Sequence, residues 1–162
     1  MVRKEFTYTD YDGREKSLEA YFQLNKNDCI DLNNEFKEEG GLVEYLKTLM
    51  KEAKERPDDV PDEAFIRFVR LLVTKAFGIR PKDDPSLYLK DDDRGRPLVR
   101  KFKGCPAYDE FVFALLTGKE NLGDFVDGIM PNVDEAQKTE AKKLLAAEGI
   151  VLPETDSVPA KD

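Results

Sequence analysis

The chain has 162 residues, of which 40% are apolar and 37% charged, and 26 Lys and Arg against 34 Asp and Glu leave a net charge of −8. That length suits one domain with one core, while the acidic balance would repel a phosphate backbone unless the cations gathered on one face. Histidine is absent, which removes the commonest general base near neutral pH, the usual partner of a nucleophilic Ser or Cys and the commonest zinc ligand.

From the N-terminus, Arg3 to Thr9 alternate around Phe6 and Tyr8, and Leu18, Ala20, Phe22 and Leu24 alternate again. Both are strand patterns of period two. Asp10-Tyr11-Asp12-Gly13 between them supplies turn chemistry, so a β-hairpin is expected. Met1 to Glu5 lead into no apolar stretch, and no run approaches the ~18 residues that cross a bilayer. A soluble intracellular protein follows.

After Leu24 the period lengthens. Asn25 can cap a helix with Asp28 in its first turn, and Cys29, Leu32 and Phe36 recur at helical spacing until Gly40 ends the run. A second helix gathers Leu42, Tyr45, Leu46, Leu49, Met50 and Ala53 on one face and stops at Arg56-Pro57. Pro61 suits the first position of the next, followed by Asp62 and Glu63 where the helix dipole favours negative charge. There Phe65, Ile66, Phe68, Val69, Leu71, Leu72, Val73, Ala76 and Phe77 leave only Arg67, Arg70, Thr74 and Lys75 polar. A helix apolar nearly all round is buried in its domain or faces a partner as well as its own core. Gly78 is its expected C-cap.

From Ile79 to Cys105 the chain is polar and punctuated by Pro and Gly, with short apolar pieces at Leu87-Tyr88-Leu89 and Leu98-Val99. A connection this long inside a small domain is often functional or mobile. Asp91 to Asp93 fail as a calcium loop, because alignment on Gly95 puts Arg94 at the fifth ligand position. Arg94 to Lys103 hold five cations directly after those three aspartates, which argues against a nucleic-acid face. Cys29 and Cys105 stand in no metal spacing and read as free thiols. No dinucleotide fingerprint or phosphate-cradling glycine loop occurs.

Pro106 opens a helix with Tyr108, Phe111, Val112 and Leu115 on one side and Phe113 and Leu116 on the other, closed by Gly118. Asp109 and Glu110 are neighbours on it, so they point apart and cannot form a facing acid and base. A short helix then carries Leu122, Phe125, Val126 and Ile129 up to Pro131. Val133, Ala136, Leu144 and Leu145 support at most a weakly amphipathic helix, and beyond Gly149 a disordered tail is expected. No internal repeat is evident. The fold class is α+β, mainly α: an N-terminal β-hairpin and five to six helices in one domain over residues 1–131, then a weakly helical to disordered segment over 132–162.

Several of these residues resemble the tail assembly chaperones of long-tailed bacteriophages of Gram-positive hosts. The resemblance runs from Phe6-x-Tyr8-x-Asp10-Tyr11-Asp12-Gly13 through Gly41-Leu42-x-x-Tyr45 and Phe77-Gly78 to the stretch from Phe102 to Pro131. That last stretch includes Ala107-Tyr108, Leu115 and Phe125-Val126-x-Gly128-Ile129-x-Pro131. It implies a non-enzymatic protein of the host cytoplasm, without cofactor or metal, that binds and solubilises the hydrophobic tape measure protein and is not part of the mature virion. In such phages a programmed ribosomal frameshift appends a second domain that recruits the major tail protein. The present sequence would be the short, unshifted form, and Lys142-Lys143 could mark an A-rich slippery site, although a lysine pair on an exposed helix is the ordinary explanation. Candidate contacts with the client are Phe68, Leu71, Phe113 and Leu116, and a homo-oligomer is compatible. The rival reading is a small acidic adaptor or regulator unrelated to tails. An enzyme using only carboxylates, lysines or tyrosines has no constellation to name.

Overall fold

The computed structural model describes residues 1–55 and 62–131. Two strands, β1 (Val2–Thr9) and β2 (Glu15–Phe22), form an antiparallel hairpin in which Phe6 pairs with Leu18 and Val2 with Phe22. The alternation turns Val2, Lys4, Phe6 and Tyr8 inward and Arg3, Glu5, Thr7 and Thr9 to solvent. The turn is built by Asp10, whose carboxylate accepts from the Asp12 and Arg14 N–H groups at 2.9 Å each, with Gly13 at φ 80°.

The described residues also form six α-helices: α1 (Lys26–Glu35), α2 (Leu42–Glu55), α3 (Glu63–Ala76), α4 (Val99–Lys103), α5 (Pro106–Thr117) and α6 (Leu122–Ile129). Asn25 and Asp28 form a capping box, each side chain accepting from the other's backbone N–H. The first helix stops earlier than its periodicity suggests. Phe36 leaves helical geometry, one 3-10 turn follows, and Gly40 at φ 91° redirects the chain into α2. Asp62 caps α3, so helical geometry starts at Glu63. The expectations for Arg56-Pro57, Pro61 and the segment 132–162 fall outside the described residues.

Gly78 is not a left-handed helix cap. The chain turns extended at Phe77, and Phe77–Gly78 form a third strand, β3, pairing antiparallel with Tyr21 and Phe22 of β2. The hairpin is thus two strands of a three-stranded sheet in the order β1-β2-β3. Glycine is needed at 78 for closeness, because a Cβ there would stand 2.5 Å from the Tyr88 ring.

The long connection after β3 is pinned at several points. Ile79 and Leu89 exchange backbone hydrogen bonds, and the Tyr88 hydroxyl donates to the Ala76 carbonyl. Lys90 donates to the Lys75 carbonyl at 2.7 Å and pairs with the Asp28 carboxylate, joining the end of α3 to the start of α1. Lys90 and Tyr88 together satisfy carbonyls that every helix end leaves open. The aspartate run is a second copy of the hairpin turn. Asp92 accepts from the Arg94 and Arg96 N–H groups at 2.9 Å each, with Gly95 at φ 71°. These donors, Arg96 foremost, hold the Asp92 carboxyl below the usual carboxylate range. The repeat is legible as Asp-x-x-Gly-Arg at residues 10–14 and 92–96, too short for a search by longer periods.

The core of the described residues joins the sheet to α3, α5 and α6. Phe22, fully buried, lies within 5.2–6.0 Å, centroid to centroid, of Phe77, Phe102, Phe111 and Phe125. Tyr108, Phe111, Val112 and Leu115 are buried as their spacing requires, and Phe125 and Ile129 anchor α6. The closing segment is also tied by hydrogen bonds. The Gln23 side-chain amide donates to the carbonyls of Ile129 and Met130 at 3.1 Å, while the Leu24 N–H donates to Ile129 at 2.7 Å.

Candidate functional site

Among the described residues, one concavity is a groove of about 680 Å³ open to solvent. Its aromatic floor follows from the break at Phe36. The Gly41 N–H donates to the Phe36 carbonyl at 2.8 Å, α2 starts back, and Tyr45 lands on Phe36 with the rings stacked 4.5 Å apart. Both meet Phe68 of α3 edge-on, at 5.6 and 5.4 Å. Burial raises the pKa of the Tyr45 phenol, and the nearby Glu39 carboxylate adds to the effect. Tyr45 therefore stays a neutral hydroxyl across the physiological range.

Along α3, Ala64, Arg67, Leu71 and Thr74 line the groove at the three-four spacing of one helical face, with Arg70 beside them. Lys103 at the end of α4, Tyr108 and Asp109 in the first turn of α5, and Glu35 and Glu39 complete the lining. A surface of exposed aromatic and aliphatic area ringed by charge is suited to reversible coverage of a partner's apolar face.

The four candidate contacts fall into different environments. Leu71 lines the groove and is half-buried. Phe113 is 59% exposed, with the Lys119 ammonium 6.0 Å from its ring centroid. Leu116 is half-buried and packs against the core. Phe113 and Leu116 follow Asp109 by four and seven residues, so the face of α5 that opens on the groove continues through them. Phe68 is a correction: at 1% exposure it has no surface to lend and serves as the groove's floor. The broad helix has Phe68, Val69, Leu72, Val73 and Ala76 in the core and Leu71 at the groove.

Sequence reading passed over Arg67 and Arg70 as the polar remainder of an apolar helix, and over Phe36 and Tyr45 as core. The available signal was that positions 64, 67, 71 and 74 share one face, interrupting the apolar circumference with a stripe of its own. A second, wholly apolar crevice lies among Leu42, Val43 and Leu46 of α2 and Val126, Ile129 and Met130 at the end of α6. It holds only about 30 Å³, roughly the volume of one water. Among the described residues no helix is long and apolar enough to cross a membrane.

Comparison with known proteins agrees with the resemblance seen in the residues. A family model described as "Phage tail assembly chaperone" matches residues 1–161. Searches of curated proteins and of solved structures found no match. With that model spanning all but the last residue of an α+β, mainly α fold, the chain belongs to the phage tail assembly chaperone family.

Proposed function

We propose that the protein binds the phage tape measure protein in the host cytoplasm, keeps it soluble while the tail is built, and is absent from the mature virion. Family membership assigns the chain to tail assembly, which removes the reading as an adaptor unrelated to tails. It also implies a non-enzymatic role; in this reading the chain performs no catalysis at all and uses neither cofactor nor metal. The client-binding part is residues 1–131. A longer product, made by ribosomal frameshifting near the 3′ end of the gene, recruits the major tail protein. A slippery heptamer followed by an overlapping open frame is the expected nucleotide signature, and a gene lacking both would end that part of the proposal.

The observation that carries the reading is accessible apolar surface on a helical frame, with Phe113 at 59% exposure and Phe36, Tyr45 and Leu71 lining an open groove. Such area yields about 25 cal/mol per Å² removed from water before association costs are subtracted. That scale permits binding that can later be undone.

Co-expression with the tape measure protein of the same phage tests it. The wild-type chain should keep that protein in the soluble fraction. Phe113→Ser should weaken the pair about tenfold, the scale of losing one aromatic anchor, and leave the helical circular dichroism and melting point unchanged because the side chain is exposed. Leu116→Ser is the poorer probe, since Leu116 packs on the core. A client that precipitates as fully with the wild-type chaperone as without it would sink the proposal.

A further inference from the structure

The sheet ends in β1, whose far edge meets no other strand among the described residues. Pairing fixes which backbone groups lie on that edge. The Asp10 N–H donates to the Arg14 carbonyl, and opposed residues of an antiparallel pair exchange bonds at every second position, so Tyr8, Phe6, Lys4 and Val2 bond to β2. The other end of the sheet agrees, since the Gln23 N–H donates to the Ala76 carbonyl and so commits the odd-numbered residues of β2 to β3. Arg3, Glu5, Thr7 and Thr9 of β1 therefore turn their N–H and C=O groups outward. All four residues are exposed, and their outward groups have no hydrogen-bond partner among the described residues.

A long bare edge is a template for another strand, and proteins guard theirs by shortness, proline, bulges or inward charges. At the opposite edge, β3 is two residues long and is continued by the Ile79–Leu89 bridge. In contrast, β1 is eight residues long, holds neither proline nor glycine and keeps unbroken register with β2. Its inward charge, Lys4, is matched by Glu120 at 2.7 Å. The sequence of β1 also selects its partner. Outward groups lie on the odd-numbered residues, so two copies can meet across a two-fold axis only odd to odd. Centring the pair on Lys4 sets Lys4 against Lys4, and centring it on Glu5 sets Glu5 against Glu5, like charges directly opposed. Centred on Phe6, it sets Phe6 against Phe6, Lys4 against Tyr8, Glu5 against Thr7 and Arg3 against Thr9. That alignment opposes no like charges and uses the strand from Arg3 to Thr9, whereas centring on Thr7 would carry Arg3 past the strand to Tyr11 of the turn. We propose that β1 pairs antiparallel with β1 of a second copy of this chain, centred on Phe6, and joins two sheets into one. The inference is independent of which client the protein binds.

A joint of one strand a side is smaller than the interfaces of stable complexes, so the dimer should be weak, with a dissociation constant of about 10–500 µM. Sedimentation velocity of the full-length chain across that range measures it. Thr7→Pro deletes an outward N–H that β2 does not use and a bond to Glu5 of the second copy in both halves, so the constant should rise at least about tenfold. Thr7→Lys places a cation opposite Glu5 of the second copy and should tighten the dimer about fivefold, while Thr7→Glu should weaken it by about as much. Ser17→Lys, the same change of charge on the exposed face of β2, should shift the constant by less than about twofold, because a screened charge away from the joint adds little. Circular dichroism checks that each variant folds, and if Thr7→Pro does not, the opposite shifts of Thr7→Lys and Thr7→Glu carry the test. A wild-type chain that stays monomeric throughout overturns the pairing, as does a dimer that Ser17→Lys tightens as much as Thr7→Lys. A monomer whose folded Thr7→Pro variant loses its client on co-expression also overturns it, and assigns the edge to a strand of the client instead.

Discussion

Phe22→Ala should lower the unfolding free energy by about 3–5 kcal/mol, the range for truncating a fully buried aromatic residue. Phe22 shows no exposed surface, and its ring touches rings from four other elements: Phe77 of β3, Phe102 of α4, Phe111 of α5 and Phe125 of α6. Each of those rings is itself buried by others, Phe77 stacking on Phe102 at 4.6 Å and Phe111 meeting Phe125 at 5.4 Å. The hole left by truncation therefore cannot be closed by one neighbour without unpacking another, which is the condition under which cavity costs are largest. Domains of this size are stable by only about 5–15 kcal/mol, so a large fraction would be lost. Urea unfolding followed by circular dichroism measures it. A loss below about 1 kcal/mol would mean that the elements around Phe22 close over the hole without unpacking one another.

Much of this fold was legible because its signals are local. Asn25 and Asp28 are three residues apart and cap each other, and Asp10 reaches only to Arg14. Pro106 and Gly118 bracket α5 as their residue types require. Failures came where a distant residue decides the matter. Gly78 has the sequence position of a helix cap, but its conformation is set by β2 on one side and by Tyr88, ten residues on, filling the space of a Cβ. The stretch after it lacks hydrophobic periodicity and so read as loose. Its order comes from Lys90 reaching Asp28 and Lys75, contacts that no window of sequence contains.

The groove itself was not legible in the sequence. Phe113 could be named because it falls off the face that Tyr108, Phe111, Val112 and Leu115 share, and Leu71 only as one of many apolar residues on a helix apolar nearly all round. Phe68 was misplaced because a helix apolar on most of its circumference does not say which side meets which neighbour. Its burial depends on Phe36 and Tyr45, brought over it by the turn at Gly40 and Gly41. The charge pattern was invisible for a further reason. Net charge is a sum over the chain, whereas Arg67 and Glu35 come to line one groove only once α1 and α3 flank the same space.

Gly78→Ala should destabilise the fold by about 1–3 kcal/mol, as overpacking does, although alanine suits an extended strand better than glycine. Gly78 is not among the glycines at positive φ, so its backbone would accept a side chain. On unfolded-state grounds alone, alanine would be worth about 0.4–1 kcal/mol of added stability. The obstacle is the Tyr88 side chain, two of whose ring carbons and its hydroxyl oxygen would lie 2.5–2.8 Å from the new Cβ. That ring cannot simply swing aside. Its hydroxyl donates to the Ala76 carbonyl and lies 3.1 Å from the carbonyl of Tyr21, and burial raises its pKa, so it remains a protonated donor. Retreat of the ring would leave the end of α3 without that partner and loosen the pairing of Ile79 with Leu89. A double-mutant cycle separates the clash from any general intolerance of the strand. In a Tyr88→Ala background, itself less stable, adding Gly78→Ala should cost nothing or stabilise slightly, giving a coupling of about 1–3 kcal/mol between the two sites. Equal costs in both backgrounds would show that β2, and not Tyr88, is what refuses a side chain at this position.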